Sequence, residues 1–308
     1  MEIISSHIVP LDLTPVRLTD YILQISEDFL PGTASRSYVK KLIKSGLIFV
    51  DGKPGSTAVF VQPGMKIEVQ EENRKPVKIY NLKMPVIYED DYLAVINKPA
   101  GIVVSGNRFR TVENALLNNI KTPTQADALH LPRPIHRLDA LTSGLLIVAK
   151  TKSVRRELGE MLQNRKIDKT YRTIVMGKTP ESGSIDLSIN GQKALTEYKQ
   201  IRTVPSLKSK WLSLLEIYPR TGRTHQLRIH FYESGFPILG DKLYGNKATL
   251  FKGKGLFLAA TGLKFQHPVY NNTIELRITE PGKFQLHLDR EEKRWRKYNI
   301  NPDSALQL

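Results

Sequence analysis

The stretch PIHRLDALTSGLLIVAK, residues 134–150, crowds an imidazole, a guanidinium and a carboxylate into one short loop: His136, Arg137 and Asp139. Thr142, Ser143 and Gly144 follow, and then the apolar run from Leu145 to Ala149, which predicts a buried strand. A carboxylate at the mouth of a core strand supports two chemistries. It caps the turn as an ion-pair partner of Arg137, or it is a nucleophile whose ionised form a nearby guanidinium sustains. Ser143 stands in TSG rather than GxSxG, with no strand–Ser–helix elbow around it, so the small residues read as a sharp turn and not as a serine nucleophile.

Other chemistries find less support. His225 and His230 are five positions apart, roughly 140° on a helix and opposite faces on a strand, so they do not share a metal. His130 and His136 flank two prolines without a carboxylate at a ligand-like spacing, and no metal site is expected. Neither GxxxxGK[ST] nor GxGxxG occurs, so no nucleotide cofactor is expected. The chain has no cysteine, which removes disulfides, thiolate zinc sites and cysteine nucleophiles together. Arg220, Gly222, Arg223 and Thr224, in YPRTGRTHQ, do precede a helical pattern and suit an anion or a carboxylate.

The elements that must hold these residues divide the chain. Over residues 13–70, Leu18, Ile22 and Ile25 have helical spacing, and a second helix runs from the N-cap Ser35 to the stop at Gly46 around Val39, Leu42 and Ile43. LIFVDGKP predicts a strand turning at Asp51-Gly52, and QPGMKIEV another strand. The second helix carries Arg36, Lys40, Lys41 and Lys44 without an acid; 36, 40 and 44 share a face, as either a solvated surface or a row of phosphate contacts.

Residues 71–85, polar and bounded by prolines, read as a linker. A larger domain follows over 86–290, with helices in TVENALLNNI, SVRRELGEMLQNR and THQLRIHFYESG, the last capped by Thr224, and strands in TYRTIVMG, TEYKQI and WLSLLEIY. Short strands mixed with helices, without regular alternation, indicate an α+β domain rather than a parallel α/β sheet. A highly charged tail, 291–308, closes the chain.

Lys plus Arg number 46 against 30 Asp plus Glu, a net charge of +16 that points to a polyanionic partner, nucleic acid first. MEIISSHIVPLDLTP has neither a basic start nor a long apolar core, and no apolar run approaches the ~18 residues of a membrane span, so no membrane partner and a cytoplasmic location are expected, with a monomer as the default state.

Taken in order, HRLDALTSGLLIVAK, KTYR at 169–172 and RTGRTHQLRIH at 220–230 resemble the RluA-type pseudouridine synthases, which isomerise uridine within RNA. INKPAGIVV at 96–104, GDKLYG at 240–245 and LFLAATGLKFQHP at 256–268 resemble further motifs of that family, and the likeness covers about residues 86–282. SRSYVKKLIKSGLIFVDGKP resembles the alpha-L RNA-binding domain that often precedes it. The resemblance implies a pseudouridine synthase-like α+β domain with a mixed, largely antiparallel sheet, behind a small α/β RNA-binding domain. It implies an RNA substrate, ribosomal RNA ahead of transfer RNA, and no cofactor, because the isomerisation needs no redox step or external group.

It also implies roles: Asp139 as nucleophile, Arg228 as its ionic partner, and Tyr171 stacked on the target base. Tyr171 is also a candidate general base, though a phenol with an ordinary pKa near ~10 serves poorly in that role. Arg137 is expected to fill the space left by a flipped uridine. Where many relatives continue the first motif with His-Pro, this chain reads GIVVSGNRFR, offering Arg108 and Arg110 to phosphates; Arg223 completes the expected RNA-contacting set. Two other readings compete: a non-catalytic RNA-binding or ribosome-assembly protein on the same fold, and an aspartate-dependent glycosidase. Asp139 argues against the first, since a carboxylate in a basic cleft repels phosphate. The second lacks a companion carboxylate in the motifs around Asp139.

Overall fold

The structure, a computed structural model, describes residues 3–30, 35–70, 79–245 and 255–298. The chain forms two compact units, residues 1–77 and 78–308, and each is described by itself.

In the first unit, β1 (Ile3–Ile8), β2 (Val16–Arg17), α1 (Leu18–Gln24), α2 (Ser26–Phe29), α3 (Arg36–Lys44), β3 (Ile48–Val50), β4 (Lys53–Pro54), β5 (Phe60–Val61) and β6 (Lys66–Gln70) follow in order. The main sheet runs β1-β6-β3-β4, while β2 pairs with β5. Ser35 caps α3 by accepting the Tyr38 N–H at 3.3 Å. Asp51 and Gly52 both take positive φ, as the two-residue turn between β3 and β4 demands. Leu18, Ile22, Val39, Ile43 and Ile48 form the core. Strand β1, outside the expected 13–70 span, is paired with β6 along its length.

The second unit contains β7 (Val86–Glu89), β8 (Leu93–Lys98), α4 (Val112–Ala115), β9 (Ala128–Pro134), β10 (Ser143–Thr151), α5 (Lys152–Gln163), β11 (Asp168–Met176), β12 (Ser182–Asp186), β13 (Leu195–Ser206), β14 (Lys210–Pro219), α6 (Gln226–Glu233), β15 (Leu258–Gln266), β16 (Thr273–Arg277) and α7 (Lys283–Tyr298). A ten-stranded sheet runs β12-β13-β14-β11-β15-β10-β8-β7, with β16 on β15 and β9 on β10. Among the described residues only the β10–β15 pairing in this sheet is parallel, so the fold is α+β with a mixed, largely antiparallel sheet.

Strand β10 lies inside this sheet with both faces covered, which is why its sequence is a continuous apolar run rather than an alternation. Leu146 and Val148 pack with Val112 and Leu116 on one side; Leu145, Ile147 and Ala149 pack with Val154 and Leu158 of α5 on the other. At the head of β10, Gly144 has φ +116°, and a Cβ there would fall 2.1 Å from the Ala260 carbonyl oxygen. The parallel contact with β15 therefore requires glycine at this position.

Two expected boundaries move. Of the expected linker 71–85, residues 71–78 lie outside the described residues, but 79–85 are not a spacer. Tyr80 N–H donates to Asn114 O at 2.9 Å, and Asn119 accepts the Met84 N–H at 2.6 Å and donates to Leu82 O at 2.7 Å. Tyr80, Leu82 and Met84 thereby join the core beside Ile96 and Leu146. The expected end at 290 falls inside α7, which runs on to Tyr298. Glu291, 2% exposed, accepts from the Ser206 hydroxyl at 2.7 Å. The charged tail thus begins as helix; residues 299–308 lie outside the described residues.

Candidate active site

Asp139 sits in the loop between β9 and β10, and its carbonyl accepts the Thr142 N–H at 3.1 Å to close the turn before Gly144. The loop is pinned from two sides. His136 Nε2 accepts the Ile147 N–H at 3.2 Å. Removal from water and then the neighbouring Lys169 charge pull that imidazole down to about 3, so it stays neutral and serves as an acceptor. On the other side Lys98, at the end of β8, is fully buried and donates to Pro99 O at 2.9 Å, Ile102 O at 2.8 Å and Ala140 O at 3.2 Å. Three carbonyls need three N–H groups, which only the ammonium form possesses. Burial pulls Lys98 down to about 8, against the charge of Asp139.

Arg228 approaches from α6, on the face that Leu227 and Phe231 bury. Its Nη1 donates to Asp139 Oδ2 at 3.2 Å. The rest of the guanidinium is held by Asp241, with Nε to Oδ2 at 2.6 Å and Nη2 to Oδ1 at 2.9 Å, and by the Tyr244 ring at 5.1 Å. Asp241 is 1% exposed. Burial works against its charge, yet Arg228 and the backbone N–H groups of Tyr244 and Leu243 keep its carboxyl below the usual range. Arg228 is thus fixed by a bidentate buried pair and reaches Asp139 with its remaining nitrogen. Arg137 is exposed, and the guanidinium bonded to Asp139 belongs to Arg228.

Helix α6 does not start as expected. Thr224 is exposed and caps nothing; the N-cap is His225, in the left-handed region at φ 56° without a side-chain cap bond. That backbone turns the ring inward, placing Nδ1 3.0 Å from the Tyr244 hydroxyl and Nε2 3.7 Å from Asp139 Oδ1. Gln226 does the fastening: its carbonyl oxygen accepts from Thr221 Oγ1 and Arg223 N–H, and its amide donates to Leu195 O and Thr196 Oγ1.

Tyr171, on β11, joins two core clusters and faces the same space. Burial first, and the Asp139 charge second, push its phenol above the ordinary value, so it is protonated at neutral pH. Asp139, Tyr171, Arg137, Arg223 and Arg228 all line one cleft of about 900 Å³, whose walls carry eight Lys or Arg side chains against three carboxylates. Arg223 Nε donates to Lys193 O at 3.2 Å. Arg108 and Arg110 are exposed and do not line this cleft. Arg36, Lys40, Lys41 and Lys44 are exposed on α3 of the first unit, where Arg36 pairs with Asp20 at 2.8 Å.

Sequence reasoning quoted the motifs containing Lys98, His225, Gln226, Asp241 and Tyr244 but assigned none of them to the site. Their only signal was membership of those motifs, because spacing along the chain does not reveal that positions 98, 139, 228 and 241 converge.

Residues 92–233 match the family described as RNA pseudouridylate synthase. The chain is 34% identical over 300 residues to an uncharacterized RNA pseudouridine synthase of Aquifex aeolicus, covering 87% of this chain and 92% of the relative. It is 32% identical over 307 residues to the ribosomal large subunit pseudouridine synthase D of Neisseria meningitidis, covering 89% and 78%. Among solved structures, human RNA pseudouridylate synthase domain containing 1 superposes with a TM-score of 0.54 at 22% identity, covering 68% of this chain and 87% of its own. Domain containing 4 gives 0.53 at 24%, covering 67% and 92%. Both share the fold. With relatives at this identity over most of its length, the chain belongs to the RluA-type family of RNA pseudouridine synthases, enzymes that isomerise uridine in RNA.

Proposed function

We propose that this protein isomerises specific uridines in ribosomal large-subunit RNA, with Asp139 as nucleophile. The observation that carries the reading is Asp139, the one of the cleft's three carboxylates that Arg228 holds, set among mainly basic walls, with Arg228 itself locked onto Asp241. The Arg228 guanidinium, 3.2 Å away, fixes the orientation of that carboxylate by a charge-assisted hydrogen bond. The reaction breaks the bond from ribose C1′ to uracil N1 and makes one from C1′ to C5. The C5 proton leaves, N1 gains one, and no electrons are exchanged with another molecule. A carboxylate serves because its bond to the substrate, through ribose or base, reverses when the ring rejoins.

A stacked uridine does not reach Asp139, so it is flipped into the cleft, where Tyr171 offers a ring face and Arg137 takes the vacated position. Tyr171, held protonated, stacks rather than acting as the base. Ribosomal RNA is favoured by the names of relatives such as the Neisseria meningitidis enzyme and by a leading unit whose α3 presents Lys40, Lys41 and Lys44. Residues 13–70 are read as the alpha-L RNA-binding domain.

The test uses unmodified large-subunit ribosomal RNA carrying tritium at uracil C5. The native chain is expected to release tritium, and Asp139→Ala to release none. Release that persists in the variant overturns the nucleophile assignment.

A further inference from the structure

A second, smaller groove adjoins the cleft. It has a volume of about 450 Å³, is lined by Arg133, Arg155, Glu113 and Ser105, and shares His136 and Arg137 with the cleft wall. Arg133 is paired with Glu113, which leaves Arg137 and Arg155 to give the groove its positive charge. Its Ser105 edge leads into the segment Gly106–Arg110, where Arg108 and Arg110 are exposed and flank Phe109, itself 49% exposed.

This tip is built rather than loose. Asn114 Nδ2 donates to Phe109 O at 2.8 Å and Arg108 O at 3.4 Å, the Thr111 N–H donates to Phe109 O at 3.0 Å, and Thr111 caps α4 through the Asn114 N–H at 3.1 Å. The Phe109 ring rests against Tyr80 at 5.8 Å between centroids and 66° between planes, leaving part of its surface to solvent. A pinned aromatic residue with an exposed arginine before and after it in the chain combines the elements that take single-stranded nucleic acid: a ring for a base and cations for phosphates.

We infer that the groove and the Arg108-Phe109-Arg110 tip form a subsite for the single-stranded nucleotides flanking the target uridine, with Phe109 stacking on one base. The inference rests on the isomerase reading and extends it beyond the reacting nucleotide. Arg137, at the junction of groove and cleft, then fills the gap left by the flipped uridine while the neighbouring strand runs past Arg155 to the tip. Because stacking reads a π-face and not a hydrogen-bond pattern, this subsite adds affinity with little base preference.

The probe is fluorescein-labelled nine-nucleotide polyuridine RNA, titrated by anisotropy with the full chain across salt concentrations. Phe109→Ala is expected to weaken binding about tenfold at an unchanged salt slope, and Phe109→Trp to restore it. The pair Arg108→Gln and Arg110→Gln is expected to lower the slope of log K against log salt by about 1.4. Far-UV circular dichroism establishes that each variant is folded. Equal binding by native chain and Phe109→Ala, or no binding of the nonamer by the native chain, overturns the subsite. Tritium release by the same preparations separates the two ideas. Release by the native chain beside a silent Phe109→Ala substitution sinks the subsite alone, whereas no release by the native chain sinks the isomerase reading.

Discussion

Asp139 and Arg228 meet at 3.2 Å, but the stronger bond of Arg228 is to Asp241, at 2.6 and 2.9 Å. The consequence is a division of labour between two carboxylates. Asp241 is buried, accepts from two backbone N–H groups as well as Arg228, and is fully occupied. Asp139 is partly exposed at the cleft wall, where the proposed reaction requires it to meet the substrate. Asp241→Asn is therefore expected to damage catalysis without touching substrate. The neutral amide no longer matches the guanidinium fork, and Arg228 drifts from Asp139. Displacements near 1 Å at reacting groups cost about 10²-fold in rate, and unpairing a buried charge costs about 3 kcal/mol of stability. Tritium release and urea unfolding of the same variant measure both; a variant that unfolds earlier but turns over normally would make Asp241 purely structural.

At the scale of elements, the site depends on how β10 begins. Leu145 to Ala149 are fully buried between two helical layers, so the strand does not shift, and the loop that Lys98 and His136 pin is carried on a rigid base. The parallel contact of Ser143 and Gly144 with Ala259 and Ala260 leaves no room for a side chain at Gly144. Gly144→Ala would drive a methyl group into the Ala260 carbonyl at a φ that alanine avoids. A loss on the order of 3 kcal/mol is expected. It is read as a lower urea midpoint, and a midpoint equal to the native one would show that β15 yields easily. The same reasoning explains the TSG sequence: these residues let the chain turn sharply, and Ser143 is the first ladder residue rather than a nucleophile.

For the molecule as a whole, charge is the organising quantity. A net charge of +16 gathers eight basic side chains around one cleft and a further group on α3. Arg36 is already committed to Asp20, so the phosphate contacts proposed for α3 fall to Lys40, Lys41 and Lys44, which carry no ion pair among the described residues. Replacing all three by glutamine is expected to flatten the salt dependence of ribosomal RNA binding by about 2 to 3 in log–log slope. An unchanged slope would make this face a solvated helix surface. Among the described residues no helix is long and apolar enough to cross a membrane.

Several features were readable from the sequence because they rest on local chemistry. The buried strand in β10 follows from an unbroken apolar run, the cap at Ser35 from a hydroxyl placed before a helical pattern, and the α+β class from irregular alternation. The motif order HRLD, KTYR, HQLR pointed to the family before any geometry was known. Tertiary structure decided the rest. That Asp241 holds Arg228, that Lys98 sits beneath the Asp139 loop, and that Tyr80, Leu82 and Met84 belong to the core rather than to a spacer are facts of contacts between residues far apart in sequence. His225 is the clearest case. The sequence pattern made it the first residue of a helix capped by Thr224, whereas its left-handed backbone and the Tyr244 hydroxyl turn it toward Asp139. Periodicity reports which face of an element is buried; which groups meet across that face is settled only by the packing of distant elements.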